Sequence, residues 1–250
     1  MTDHLTTPQG RRLAYNRSAG RGPGIVFLGG FKADMEGTKA RFLHDWATEQ
    51  GQAFLRFDYS GHGHSSGDFD NGCIGDWRDD ARAVIGALTE GPQILVGSSM
   101  GGWIALLLAR EMPERIAGLV GIAAAPDFTA ITWDQELTEA QRDEVRRNGR
   151  TTMESGNPAN PYVFTARLFE DGARQRVTDR PLALPFPTRL LQGTADADVL
   201  PQVATGLLAH ASGPDIRLTL VKDADHRFST PDCLALIAAT VTEVLERATR

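Results

Sequence analysis

One serine in the chain stands between paired glycines, Gly97-Ser98-Ser99-Met100-Gly101, with an apolar run before it and a longer one after. A serine hydroxyl is a weak nucleophile until a neighbouring base takes its proton. The G-x-S-x-G spacing predicts a tight, strained strand-to-helix turn with Ser99 at its tip. Side chains two residues away on either side would collide on such a turn, which is why positions 97 and 101 need glycine. The turn lifts the Ser99 hydroxyl above a sheet edge. It also aims the positive end of the following helix at the point where negative charge develops. Ser98 is expected to point elsewhere. The chemistry is attack on an acyl carbonyl.

The base must follow in the chain, because elbows of this type take their partners in the order serine, acid, histidine. Of six histidines, only His210 and His226 lie beyond Ser99. His210 falls late in a helical pattern. His226 sits in the loop Lys222-Asp223-Ala224-Asp225-His226-Arg227, after an apolar strand, and is assigned as the base. That loop opens at the carboxyl edge of the sheet, where ligands bind in such folds. The acid is sought one strand earlier, in Gly193-Thr194-Ala195-Asp196-Ala197-Asp198, which offers Asp196 and Asp198. Asp127, after the strand at 116–123, is a further candidate. Asp225 is read as a turn or orienting residue. Two backbone N–H groups should hold the oxyanion: that of Met100, directly after the nucleophile, and that of Phe31, after Gly29-Gly30.

The elements that would place these groups alternate between short apolar strands and helical patterns, the signature of a mostly parallel sheet. Strands are expected at 12–17, 24–28, 53–57, 93–96, 116–123, 188–192 and 216–221. Helices are expected at 37–50, 74–89, 100–112, 199–211 and from Thr230-Pro231 to the C-terminus. The strands are apolar throughout, so helices should cover both faces. From 128 to 187 the pattern breaks into scattered prolines, glycines and charges without clear strands. This stretch is read as an inserted lid on a single domain spanning 1–250. Within it, Thr138 and Gln141 predict a capped helix ending at Gly149.

Composition narrows the function. A net charge of -6 with no basic block leaves no footprint for nucleic acid. No apolar run reaches membrane-spanning length, and residues 1–12 lack a signal core, so a cytoplasmic protein is expected. Cys73 and Cys233 have no metal spacing and are read as reduced thiols. His62 and His64, two apart in a glycine-rich turn, lack the further ligands a metal needs. Arg142, Arg146, Arg147 and Arg150 read as a solvated helix face among Glu139, Asp143 and Glu144. Trp46, Trp77 and Trp103 fall at core positions, and Trp133 in the lid is a candidate pocket wall. No metal or organic cofactor is called for.

These residues resemble the α/β-hydrolase superfamily. Within it, the chain resembles the family of mitochondrial enzymes called alpha/beta-hydrolase domain-containing protein ten. The likeness rests on Gly37-Thr38-Lys39-Ala40, Arg56-Phe57-Asp58-Tyr59-Ser60-Gly61, the run from Gly91 to Trp103, and Asp225-His226-Arg227. It covers most of the chain and fades in the lid. It implies an acyl-ester or acyl-thioester hydrolase, with an S-acylated protein as one kind of substrate. It also implies Asp196 as the acid, because that family places it three residues after the glycine matched by Gly193. The chain has Gly29-Gly30 where many members have His-Gly, and one extra residue between Asp196 and Val199. The other readings of the same residues are a peptidase or acyltransferase with this triad, and a non-catalytic ligand-binding module.

Overall fold

The computed structural model describes residues 2–154 and 161–249. The strands are β1 (Asp3–Thr6), β2 (Arg12–Ser18), β3 (Arg21–Leu28), β4 (Gln52–Phe57), β5 (Gln93–Ser98) and β6 (Ile116–Ile122), followed by β7 (Arg150–Met153), β8 (Tyr162–Thr165), β9 (Leu182–Ala183), β10 (Thr188–Gly193), β11 (Ala211–Ser212) and β12 (Ile216–Val221). The helices are α1 (Thr38–Glu49), α2 (Ile74–Leu88), α3 (Met100–Glu111), α4 (Phe128–Ile131), α5 (Glu139–Asn148), α6 (Ala166–Arg174), α7 (Pro201–His210) and α8 (Pro231–Ala248).

Eight strands form the main sheet in the order β1-β2-β4-β3-β5-β6-β10-β12. From β4 to β12 every pairing is parallel, and only β1 and β2 run against their neighbours. Alternation along each strand divides the core in two. Val26, Leu28 and Leu95 pack against α2 and α3, around the buried Trp77 and Trp103. Ile25, Phe27, Ile94 and Val96 pack against α1 and α8, through Leu43, Ile237, Val241 and Val244. Both faces are covered, as the apolar strands predict. The sequence reading omits the short edge strand β1.

Between β6 and β10 the chain leaves the sheet. Here α4 runs into a π-helical turn (Thr132–Glu136), then α5, the antiparallel pair β7–β8, and α6. Residues 155–160 of this expected lid lie outside the described residues. The reading of this stretch as strandless is corrected: β7 and β8 pair in register from Arg150↔Thr165 to Met153↔Tyr162. Each is four residues long, too short for alternation to show against a polar background. The predicted cap is present. Thr138 Oγ1 accepts the Gln141 N–H, Gln141 Oε1 accepts the Thr138 N–H, and Gly149 closes α5 at φ 77°.

Candidate active site

The turn between β5 and α3 brings the site into being. Ser99 has φ 54° and ψ -119°, a region that non-glycine residues rarely occupy. It is held there by three backbone hydrogen bonds. Its N–H donates to the Ile122 carbonyl (2.9 Å), and its carbonyl accepts from Gly102 (2.9 Å) and Ala125 (3.1 Å). A Cβ on Gly97 would overlap the Gly101 carbonyl, and one on Gly101 would overlap the Leu28 carbonyl. The two glycines are therefore required by close backbone approach. Ser98, the last residue of β5, is buried.

Three loops at the carboxyl edge of the sheet meet this turn. The loop after β12 places His226 Nε2 3.2 Å from Ser99 Oγ. The loop after β10 places the Asp196 carboxylate 2.9 and 3.1 Å from His226 Nδ1. The loop after β3 brings Gly30 beside the serine, where an added Cβ would lie 3.4 Å from Ser99 Cβ. Neither the Phe31 N–H nor the Met100 N–H has a protein acceptor among the described residues. Both groups are thus available for an oxyanion.

The carboxylate beside His226 is distinguished by its surroundings. Asp196 is 3% exposed. It accepts hydrogen bonds from Gln192 Nε2 (2.9 Å) and from the N–H groups of Asp198 (3.0 Å) and Val199 (2.8 Å). Burial by itself favours the neutral acid. The hydrogen bonds from His226, Val199 and Gln192, with the nearby imidazole, outweigh it and hold the carboxyl below its ordinary range. Asp198 is turned to solvent. Asp127 is buried but serves another purpose, accepting the N–H groups of Val177 (2.9 Å) and Thr178 (3.0 Å). It therefore anchors the end of the inserted segment and stands apart from His226.

Two supports were missed in the sequence. Gln192 is fully buried in β10, and its amide bridges Asp196 Oδ2 and the Val199 carbonyl. A glutamine inside an apolar strand was the available signal. Asp58 accepts the N–H groups of Met35 (2.6 Å) and His64 (2.8 Å), which fixes the loop that carries Phe31.

The remaining candidates take structural places. His62 is buried among Tyr59, Phe69 and Trp77, and burial pushes its imidazole down to about 4. Burial pushes the Cys73 thiol up to about 12, and neither Cys73 nor Cys233 is in a disulfide. Arg142 and Arg146 pair with Glu139 on the outer face of α5. Trp133 faces Phe169 and Arg146 and does not line the serine's cavity, so the pocket-wall expectation is corrected. His210 caps the carbonyls of Val177 and Arg180 at the end of α7. Among the described residues, Asp196, Asp198 and His226 form the one group of three or more metal-type donors whose atoms all lie within 4.8 Å of one another. Most of that capacity is already taken by the contacts of Asp196.

Ser99 and His226 open into a cavity of about 1270 Å³. One wall is apolar, with Phe31, Phe128, Ile131, Phe164 and Val203 among its residues, and the rim carries Lys39, Asp198 and Arg227.

Residues 25–247 match the alpha/beta hydrolase family. The chain is 34% identical over 249 residues to the mitochondrial palmitoyl-protein thioesterase ABHD10 of Homo sapiens, an alignment covering 97% of this chain and 79% of that protein. The structure of alpha/beta hydrolase domain-containing protein 10 from mouse superposes with a TM-score of 0.92 at 32% identity, covering 98% of each chain. A putative hydrolase from Agrobacterium vitis S4 superposes with a TM-score of 0.94 at 39% identity, again covering 98% of each chain.

Proposed function

Since the chain belongs to the alpha/beta hydrolase family, we propose that it hydrolyses carboxylic esters or thioesters through a Ser99–His226–Asp196 triad. The observation that carries this reading is the continuous chain of contacts from Ser99 Oγ through the imidazole to a buried carboxylate. His226 Nε2 takes the Ser99 proton as the hydroxyl attacks the acyl carbonyl. Asp196 holds the Nδ1–H and offsets the charge of the imidazolium that forms. The oxyanion rests on the N–H groups of Phe31 and Met100, a donor of this kind being worth about 3 kcal/mol. The imidazolium then protonates the departing alcohol or thiol. Water repeats the sequence on the acyl-enzyme.

Long acyl chains are the substrate class in this reading, carried as thioesters that include S-acylated proteins. Two findings support it. The curated relatives are named palmitoyl-protein thioesterases. The cavity of about 1270 Å³ exceeds the usual ligand-pocket range of about 300–1,000 Å³. Residues 128–187 act as the lid of a single domain, since α4 and β8 supply Phe128, Tyr162 and Phe164 to the apolar wall. No described helix is long and apolar enough to cross a membrane. A cytoplasmic site of action belongs to the same reading and is supported by two unpaired cysteines. The human relative's name places that protein in mitochondria, so fractionation with a tagged chain would decide the compartment.

The test is turnover of p-nitrophenyl esters of increasing acyl length, with Ser99→Ala in parallel. Turnover in the wild type alone supports the triad, and the length optimum measures the acyl pocket. Equal turnover by both proteins would remove Ser99 from the mechanism.

A further inference from the structure

Lys39 occupies a place with little to recommend it structurally. It lies in the first turn of α1, at the positive end of the helix dipole, in a turn with no acidic residue. No carboxylate among the described residues comes within 4.0 Å of its ammonium. Its Nζ instead donates to the backbone carbonyl of Arg227, the residue after His226, and its side chain lines the cavity that holds Ser99 and His226.

The His226 loop is tied down unevenly. Its upstream half is fastened to the acid's loop, with Asp223 N–H donating to Thr194 Oγ1 (2.8 Å) and Ala195 N–H donating to the Ala224 carbonyl (3.0 Å). Downstream, the chain turns through Phe228, a fully buried residue at φ 48°, where a bulky side chain is strained. There Asp225 Oδ1 accepts the Phe228 N–H (3.1 Å), and Ser229 Oγ shares the Arg227 carbonyl (2.7 Å). Besides the packing of Phe228 in the core, Lys39 supplies, among the described residues, the hydrogen bond that fastens this half to a different element, the start of α1.

We infer that Lys39 is a positioning residue of the hydrolytic site, clamping the His226 loop to α1. The inference rests on the triad reading above. The charged and titratable groups facing the Lys39 ammonium are Asp225 and Arg227 on the base's loop, Asp196 on the acid's loop and Cys233 on α8. Burial, the largest influence, pushes the lysine down from its ordinary value, with Arg227 adding to this and the two carboxylates and Cys233 opposing it.

Lys39→Met removes the donor, Lys39→Gln keeps a shorter one and Lys39→Arg keeps one at full length. The measurements are kcat and KM for a p-nitrophenyl ester, labelling of Ser99 by a fluorophosphonate, and thermal unfolding. Lys39→Met should lose about tenfold to a hundredfold in kcat, with KM little changed. Lys39→Gln should recover part of kcat, and Lys39→Arg should return it towards the wild type. Wild-type kcat in folded Lys39→Met would overturn the assignment, as would an equal loss in folded Lys39→Met and Lys39→Arg. If Lys39→Met does not fold, kcat of Lys39→Gln against that of Lys39→Arg decides, and no difference between them would overturn it. A wild-type protein that neither labels nor hydrolyses would instead bring down the triad reading, and the Lys39 role with it.

Discussion

Ser99 holds a backbone conformation that an ordinary residue in an ordinary turn would abandon, at φ 54°. Such strain costs on the order of 1–3 kcal/mol and persists only where the surroundings over-determine it. Ser99→Gly should therefore unfold at higher denaturant, gaining about 1 kcal/mol of stability, while esterase activity disappears. Unchanged or lower stability would mean the turn is not strained as its dihedral angles imply. Asp196→Asn should lower kcat by about 10⁴-fold with the fold intact, because the amide no longer fixes the required tautomer of His226. Circular dichroism and steady-state kinetics on the same preparation check both halves of that statement. At this scale the sequence is readable for Ser99 and His226, whose positions follow from spacing and chain order. Spacing alone leaves both Asp196 and Asp198 open, and only the family resemblance favours Asp196. What separates them is a turn in which Asp196 accepts the N–H groups of residues 198 and 199, so that its neighbour faces solvent. No periodicity encodes that closure.

Phe31 joins the two sides of the cavity. Its ring meets Phe69 (4.8 Å) and Trp77 (5.9 Å) on the sheet side. On the side of the inserted segment it meets Phe128 (5.5 Å), Tyr162 (5.9 Å) and Phe164 (5.6 Å). The backbone N–H of the same residue is assigned to the oxyanion, so the seating of β8 and the placement of that donor are mechanically linked. Phe31→Ala keeps the donor but removes the anchor. It should cost about 3 kcal/mol of stability and lower kcat/KM for long-chain esters more than for short ones. Chain-length profiles of the two proteins test this, and a uniform loss across lengths would count against a link to the acyl wall. The long, strongly patterned elements were legible: α1 spans Thr38–Glu49 and β12 spans Ile216–Val221, close to or at the expected bounds. The pair β7–β8 was not, because its stability comes from cross-strand partners far from any local pattern and from packing of Tyr162 and Phe164 on a distant phenylalanine.

At the scale of the whole molecule, the last helix is bound to the sheet edge by a charged network. Arg189 on β10 reaches Glu243 on α8 (2.8 Å) and Asp215 (3.1 Å), and Arg217 and Arg247 complete it. Hydrogen bonding from Arg189, against an opposing effect of burial, brings the Glu243 carboxyl down to about 2 from its ordinary 4.5. The unfolded chain therefore binds the Glu243 proton more readily than the folded one. Its stabilising contribution is complete above about pH 4.5 and is lost as pH falls towards about 2. Glu243→Gln should flatten this part of the pH dependence of the melting temperature, and the effect should shrink in high salt because the group is partly exposed. An unchanged slope between those pH values would place the acid sensitivity elsewhere. The order of the chain along the sheet has a consequence for synthesis. The proposed nucleophile and oxyanion donors lie before residue 101, while the proposed acid and base lie beyond 195, on loops after β10 and β12 at the far edge. In this reading a nascent chain carries Ser99 with no base until the 127 residues that lead to His226 have followed it, and hydrolysis waits for the strands at that edge to dock.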